Sequence, residues 1–204
     1  MKVTQRMTNY IIGVVLINII ILFFTGFIKI NHIRSPNPVN YTVDVIMGSS
    51  FFLCVHYLGC VIKYTNEKKS IIIMMIVYNT INLIAFSLHQ FVSSDKMSVH
   101  FLLNLIKIIV LIGLLIQIFK VKNLVFASSF RLFIGLELFL TIFRSLVILF
   151  AIQHYIPKSM LSLIPLVELF PPLAILFILF KTSTYLNNQQ QVLKHTIVNI
   201  DEPA

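Results

Sequence analysis

Charged residues are scarce in this sequence. Asp, Glu, Lys and Arg make up 11% of the 204 residues, whereas hydrophobic residues make up 58%, a balance outside the usual range of soluble globular domains. Long polar segments that would form a second domain are also lacking. The composition therefore predicts one bundle of membrane-spanning segments joined by short connections, with the lipid bilayer as its main surroundings.

The sequence also lacks the motifs of several functional classes. It contains no glycine-rich phosphate loop, no fixed-period repeat and no paired Cys or His clusters at metal-ligand spacing. Its two cysteines, Cys54 and Cys60, are six positions apart and fall on different sides of one helix, which argues against a disulfide between them. Basic patches typical of nucleic-acid binding are absent too. We therefore expect no metal site, no cofactor and no direct contact with nucleic acid.

Six hydrophobic segments are each long enough to cross a bilayer core of about 30 Å. The sequence thus predicts an all-α, polytopic transmembrane helix bundle over residues 1–181, followed by a polar cytoplasmic tail over residues 182–204. The second and sixth segments contain polar residues or prolines, so a four-span arrangement with re-entrant segments stays open. The six segments are residues 10–29, 43–63, 70–92, 99–119, 124–152 and 159–181.

The distribution of basic residues predicts the orientation. With six spans, the side that holds the N-terminus carries nine Lys and Arg residues in its loops and termini, and the other side carries four. Because basic loops are retained in the cytoplasm, this asymmetry places both termini there. The nine are Lys2, Arg6, Lys63, Lys68, Lys69, Lys120, Lys122, Lys181 and Lys194, and the four are Lys29, Arg34, Lys96 and Lys158.

Four ionisable residues lie near the middle of the predicted spans. Depths estimated from the helical rise put Glu137 at the midplane, Lys107 and Glu168 within about 3 Å of it, and Arg144 about 10 Å further outward. A charge at such a depth costs roughly 2.5–3.5 kcal/mol on insertion scales, so it must face protein or water and find a partner. Two interpretations remain: a charge-balanced network that fixes helix register, which the neutral sum favours, or a water-filled path for an ion or proton.

Other residues at membrane depth support narrower predictions. Arg131 lies nearer the inner surface and is expected to extend to the lipid headgroups. Pro165, Pro171 and Pro172 remove backbone donors near the membrane middle. A kink around a neighbouring helix is favoured over a helix break that builds an ion or substrate site.

Two further features have a functional and a structural interpretation. His56 and Cys60 share one helical face and match a Cys-His nucleophilic pair, but no third residue orients the histidine and no oxyanion donor can be named, which favours packing roles. Residues 195–200 form a β-prone string that would add as an edge strand to a soluble partner. A frayed terminus is the favoured alternative.

Three functions follow from these features. The favoured one is a non-enzymatic membrane subunit, expected to be a homo-oligomer, that anchors or signals to a soluble cytoplasmic protein. The second is a small ion channel or proton-coupled transporter that uses Glu137, Glu168 and Lys107. The third is an intramembrane enzyme built around His56 and Cys60.

The chain as a whole resembles a known family. Its Ile, Asn and Lys bias, its size and its opening Met1-Lys2-Val3-Thr4-Gln5-Arg6 running into a span look like KwaA, the membrane component of the bacterial Kiwa anti-phage system. This resemblance implies a multi-pass protein of the bacterial inner membrane that works with a soluble effector in antiviral defence, and it transfers no site residues. Bacteriocin immunity proteins share the same general look.

Overall fold

Helices and turns account for the regular structure of the residues that can be described. The computed structural model describes residues 1–30, 37–91, 97–152 and 167–198. Five of the six helices in these residues are long and apolar enough to cross a membrane, so the prediction of an all-α, multi-pass membrane protein is confirmed. The helices are α1 (Gln5–Ile30), α2 (Asn37–Tyr64), α3 (Lys69–Phe91), α4 (Met97–Ile118), α5 (Leu124–Ile152) and α6 (Phe170–Val198).

The six helices form a closed ring. Each helix packs against its neighbours in sequence, and α6 packs against α1. Side-chain contacts join the starts of α1, α3 and α5 to the ends of α2 and α4 and to the middle of α6, so consecutive helices are antiparallel. We call this end of the ring the basic end and the opposite one the distal end. The described cations of the basic end include Lys2, Arg6, Lys63, Lys68, Lys69, Lys120, Lys122 and Lys181.

The half of the ring nearest the basic end is filled with side chains. Tyr57, Phe126 and Phe130 are each at most 2% exposed, and the hydroxyls of Thr8 and Tyr57 lie 2.7 Å apart inside this core. Lipid tails are as apolar as leucine, so dispersion contacts and interhelical hydrogen bonds hold such a core together. The outward faces of the helices expose large apolar side chains such as Phe24 and Ile109, as a lipid-facing surface requires.

Two turns at the basic end are joined by one carboxylate. Helix α2 ends in a Schellman arrangement, in which the amide of Asn66 donates to the carbonyl of Lys63 and the amide of Glu67 to that of Ile62. Asn66 has a φ of 56°, a left-handed conformation that asparagine tolerates better than most residues. The Glu67 carboxylate accepts hydrogen bonds from the backbone amides of Lys122 (3.1 Å) and Asn123 (2.9 Å). The α2–α3 turn is thereby held against the α4–α5 turn.

The second hydrophobic segment is one continuous helix. Helix α2 runs without interruption from Asn37 to Tyr64, and residues Tyr41–Tyr64 are apolar and long enough to span. The re-entrant alternative for this segment is therefore wrong. Polar residues such as Asp44 and Ser50 are accommodated because they face the ring interior or neighbouring helices, as in the hydrogen bond of 2.6 Å from Ser50 Oγ to Asn18 Oδ1.

The sixth hydrophobic segment contains a helix break. Val167 is helical, residues 168 and 169 form a turn, and α6 starts at Phe170, so the prediction of a kink at Pro171 and Pro172 is wrong. These prolines occupy the first positions of α6, where a missing amide hydrogen costs nothing and the fixed φ suits a helix. Residues 159–166, with Pro165, lie outside the described residues, so the re-entrant alternative for this segment stays open.

Helix α6 continues well past Lys181. The sequence predicted that the bundle ends at residue 181 and that a polar tail begins at residue 182. In the structure α6 passes through this boundary and extends to Val198. The extension packs on the basic end: Gln5 Nε2 donates to Ser183 Oγ (2.6 Å) and Tyr64 Oη to Gln189 Oε1 (2.8 Å). Residues 195–198, which belong to the string considered as an edge strand for a soluble partner, are helical in the structure, and residues 199 and 200 lie outside the described part.

Candidate functional site

A cavity of about 460 Å³ lies inside the ring and is lined by residues of all six segments. It occupies the half of the ring toward the distal end, since the other half is filled by the core. Its size falls within the range of small-molecule sites, about 300–1,000 Å³. The four ionisable residues singled out in the sequence, Lys107, Glu137, Arg144 and Glu168, all line it. The structure therefore places them around one shared space.

The first of two ion pairs joins α4 to α5. Lys107 Nζ lies 3.3 Å from Glu137 Oε2, with the two side chains 11% and 5% exposed. Lys107 Nζ also lies 5.6 Å from the centre of the Tyr78 ring, within the range of a cation–π interaction. The buried lysine is thus neutralised from one side and packed against an aromatic face on another.

The second ion pair joins α5 to the turn that precedes α6. Arg144 Nη2 lies 3.0 Å from Glu168 Oε1, and the side chains are 36% and 29% exposed. This pair is more open than the first, as expected from the position of Arg144 two turns closer to the distal end. With two acids and two bases, the four charges sum to zero, which reduces the cost of placing them at membrane depth.

Glu168 owes its position to the helix break. It lies in the turn between Val167 and Phe170, so its side chain is not constrained by a helical backbone. Across this start, the amide of Leu173 donates to the carbonyl of Leu169 (3.2 Å). Pro171 and Pro172 have no amide hydrogen to leave unpaired, which allows a helix to begin inside the ring at low cost.

The cavity wall presents several polar groups. Arg144 Nε has no hydrogen-bond partner within the described residues. Amides of Asn18, Asn82 and Asn104 also line the cavity. A polar cavity of this size holds water readily, and its mixture of donors and acceptors suits a small polar or ionic ligand.

Arg131 contacts the residue that follows α4, and its extension to the lipid headgroups stays a prediction. Its Nη2 donates to the carbonyl of Phe119 at 3.4 Å, and its guanidinium lies 4.7 Å from the centre of the Phe119 ring. The arginine therefore binds a free carbonyl just beyond the end of α4, where the helix dipole favours a cation. It does not line the cavity.

His56 and Cys60 share a groove outside the ring. The groove, of about 720 Å³, is lined by the first residues of the chain, the last turns of α2 and part of α3. His56 is exposed and its ring stacks on that of Phe52, with the centres 6.4 Å apart. No hydrogen bond joins His56 to Cys60 in the described structure, and a group that would orient the histidine for proton transfer is not found among the described residues around it.

Sequence reasoning missed Asp44 and Glu67. Asp44 lines the cavity, but nothing in the sequence distinguishes it from the other polar residues of the second segment. Glu67 lies outside the cavity and the groove, is 8% exposed and binds two backbone amides. The position of Glu67 next to Asn66, after a hydrophobic segment, indicates a turn at the end of a helix. The sequence does not indicate which groups Glu67 binds, because its partners lie 55 and 56 residues further along the chain. Among the described residues, no group of three or more His, Cys, Asp and Glu side chains is placed to hold a metal ion.

Comparisons of the chain with protein-family models, with curated proteins and with solved structures find no match.

Proposed function

We propose that the chain is a non-enzymatic, multi-pass subunit of the bacterial inner membrane that signals to a soluble cytoplasmic partner. One observation supports this most directly. Helix α6 starts beside the Arg144–Glu168 ion pair in the cavity and continues as one helix to Val198 beyond the basic end. At about 1.5 Å per residue, this rod is roughly 40 Å long. A change at the cavity that moved its start would be transmitted along a rigid element to a surface that a soluble protein can reach.

The exposed extension of α6 supplies the contact surface in this proposal. Asn187, Asn188 and Gln190 are exposed, while Ser183 and Gln189 tie the helix to α1 and α2. Cytoplasmic termini are supported by the excess of Lys and Arg at this end. Homo-oligomerisation belongs to the same proposal and is tested by measuring the mass of the purified protein in detergent.

A photo-crosslinking experiment tests both the partner and the coupling. A photoreactive amino acid at Asn188 should capture a soluble protein in cells, and the same amino acid at Phe24, on the lipid-facing surface, should not. Glu168→Gln should change the yield at Asn188 severalfold, because it weakens the pair that holds the start of α6. Asp44→Asn removes a carboxylate from the same cavity without touching that pair and serves as the matched control. Absence of a product at Asn188 would reject the partner surface, and a yield indifferent to Glu168→Gln would reject the coupling.

Anti-phage defence is the specialisation that we propose for this subunit. Its support is the resemblance of the chain to KwaA in size, composition and N-terminal sequence. Cells that carry the chain together with the genes beside it should plate phage less efficiently than cells in which only this chain is deleted. Equal plating would remove the defence role and leave the membrane-subunit proposal standing.

The charged cavity favours a second candidate, a channel or proton-coupled carrier. Glu137 and Lys107 lie at the boundary between the cavity and the filled half of the ring. Passage would require the packed core around Phe130 and Tyr57 to open, as in alternating access. In liposomes, Glu137→Gln should then abolish flux while the protein still assembles. Wild-type protein that carries neither protons nor small ions would eliminate this candidate.

A further inference from the structure

The groove outside the ring combines basic and apolar walls at one level of the bundle. Lys2 and Lys63 lie at its end nearest the basic end, and Ile72 and Ile76 of α3 form part of its apolar wall. Ile76 is 58% exposed and belongs to a helix that is apolar enough to span, so the groove extends from the interface into the hydrocarbon region. The groove is separate from the charged cavity, because the two share no lining residue.

Gly59 gives the groove its depth. A Cβ built at Gly59 would meet no atom within 4 Å, so this position of α2 faces open space. A glycine in the middle of a helix costs about 1 kcal/mol relative to alanine. The open space that it leaves lies between the exposed side chain of His56 and that of Lys63.

We propose that this groove binds an anionic phospholipid, with its phosphate near Lys2 and Lys63 and an acyl chain along Gly59, Ile72 and Ile76. Charge complementarity selects the headgroup, because two lysines line the groove and the described residues that line it include no acid. Basic pockets between transmembrane helices at a membrane surface are typical sites for anionic headgroups. Tyr64 lies at the same level, where aromatic side chains with a polar tip favour the interface.

Native mass spectrometry of the full-length protein in detergent tests the proposal. The wild type should bind palmitoyl-oleoyl phosphatidylglycerol more tightly than the phosphatidylcholine with the same chains. Each lysine near a headgroup contributes about fivefold in affinity, so the variant Lys2→Gln/Lys63→Gln should lose about 25-fold and with it most of the preference. The control Lys120→Gln/Lys122→Gln removes the same charge from the same end but outside the groove, and it should bind like the wild type.

A second variant tests the acyl-chain part without changing charge. Gly59→Leu places a side chain in the open space and should weaken binding of the phosphatidylglycerol, while thermal unfolding without lipid confirms that the variant is folded. Binding unaffected by Gly59→Leu would overturn the proposed groove, and so would a control pair that loses as much as the groove pair. Full competition by glycerol phosphate would show a headgroup site alone and would also overturn the proposal.

Discussion

Lys107 and Glu137 form an ion pair whose two side chains are 11% and 5% exposed, with Nζ and Oε2 separated by 3.3 Å. The pair links α4 to α5 at the floor of the cavity. The pair either serves only to hold the ring together or also works in signalling or conduction. Replacing both residues by apolar ones distinguishes these two roles, because the roles predict different outcomes.

Breaking this pair from one side should destabilise the protein strongly. Lys107→Met leaves the Glu137 carboxylate buried without a counter-charge, and Glu137→Leu leaves the ammonium in the same position; each should lower the free energy of unfolding by about 3–5 kcal/mol. Replacing both residues, as in Lys107→Met/Glu137→Leu, should restore most of that stability because no charge remains to be solvated. Unfolding with sodium dodecyl sulfate in mixed micelles measures these differences.

The double variant also separates the two roles. A purely structural pair predicts that Lys107→Met/Glu137→Leu retains the crosslink at Asn188 and, if phage defence is the function, the plating phenotype. A functional pair predicts a stable protein that has lost both. If the double variant were as unstable as the single variants, the two charges would not compensate each other, and the interpretation of the contact as a stabilising ion pair would be wrong.

Glu67 provides a second stability prediction. Hydrogen bonds to a charged group contribute about 1.5–3 kcal/mol each. The Glu67 carboxylate accepts two such bonds from backbone amides, and both are lost when the carboxylate is removed. Glu67→Gln keeps one acceptor oxygen and should lose about 1–2 kcal/mol, and Glu67→Ala should lose more. Lys68→Gln, at the exposed neighbouring position, is the control and should change the unfolding free energy by less than about 0.5 kcal/mol. Equal effects at the two positions would contradict the role assigned to Glu67.

The sequence allowed much of the fold and the membership of the charged cavity to be predicted. Hydrophobic length located the helices, and the helical rise placed Lys107, Glu137 and Glu168 at nearby depths. The helical rise did not predict that Glu168 pairs with Arg144, because it gives the depth of a residue in the membrane and not the direction of its side chain around the helix axis. That direction depends on the break before Phe170, which releases Glu168 from helical geometry.

The helical extension of α6 was beyond prediction for a different reason. Residues 187–191 are all Asn and Gln, a composition that does not form a core by itself. In the structure these residues need no core of their own, since the helix is held by contacts with α1, α2 and α5 such as the edge-to-face packing of Tyr185 on Phe126 at 5.5 Å. Tertiary contacts of this kind override local propensity, and a single sequence does not reveal them.

Gly48 and Phe86 lead to a prediction about the cavity wall. A Cβ at Gly48 would overlap the ring of Phe86 on α3, and both residues line the cavity. Gly48→Ala should therefore force the ring toward the open cavity. Overpacking costs about 1–3 kcal/mol, against a gain of about 1 kcal/mol in helix propensity. We expect a net loss of up to about 2 kcal/mol in the free energy of unfolding.

A matched glycine provides the control for Gly48. A Cβ at Gly13 on α1 meets nothing within 4 Å, so Gly13→Ala should be neutral or slightly stabilising. Adding Phe86→Leu to Gly48→Ala should cost less than Phe86→Leu costs alone, because the overlap with the ring is gone. If Gly48→Ala were as harmless as Gly13→Ala and additive with Phe86→Leu, the close contact between the two helices would be disproved.

The start of α6 supports the last prediction, which concerns the Arg144–Glu168 pair. Replacing both prolines, in Pro171→Ala/Pro172→Ala, supplies two amide hydrogens that can bond to the carbonyls of Val167 and Glu168 and continue the helix through the turn. Glu168 would then rotate away from Arg144.

A double-mutant cycle of Arg144→Gln and Glu168→Gln should give a coupling of about 1 kcal/mol in the wild type, since the pair is partly exposed. In the proline variant the coupling should fall to near zero, whereas Pro38→Ala, in the first turn of α2, should leave it unchanged. A coupling that survives loss of both prolines would mean that the ion pair does not depend on the helix break.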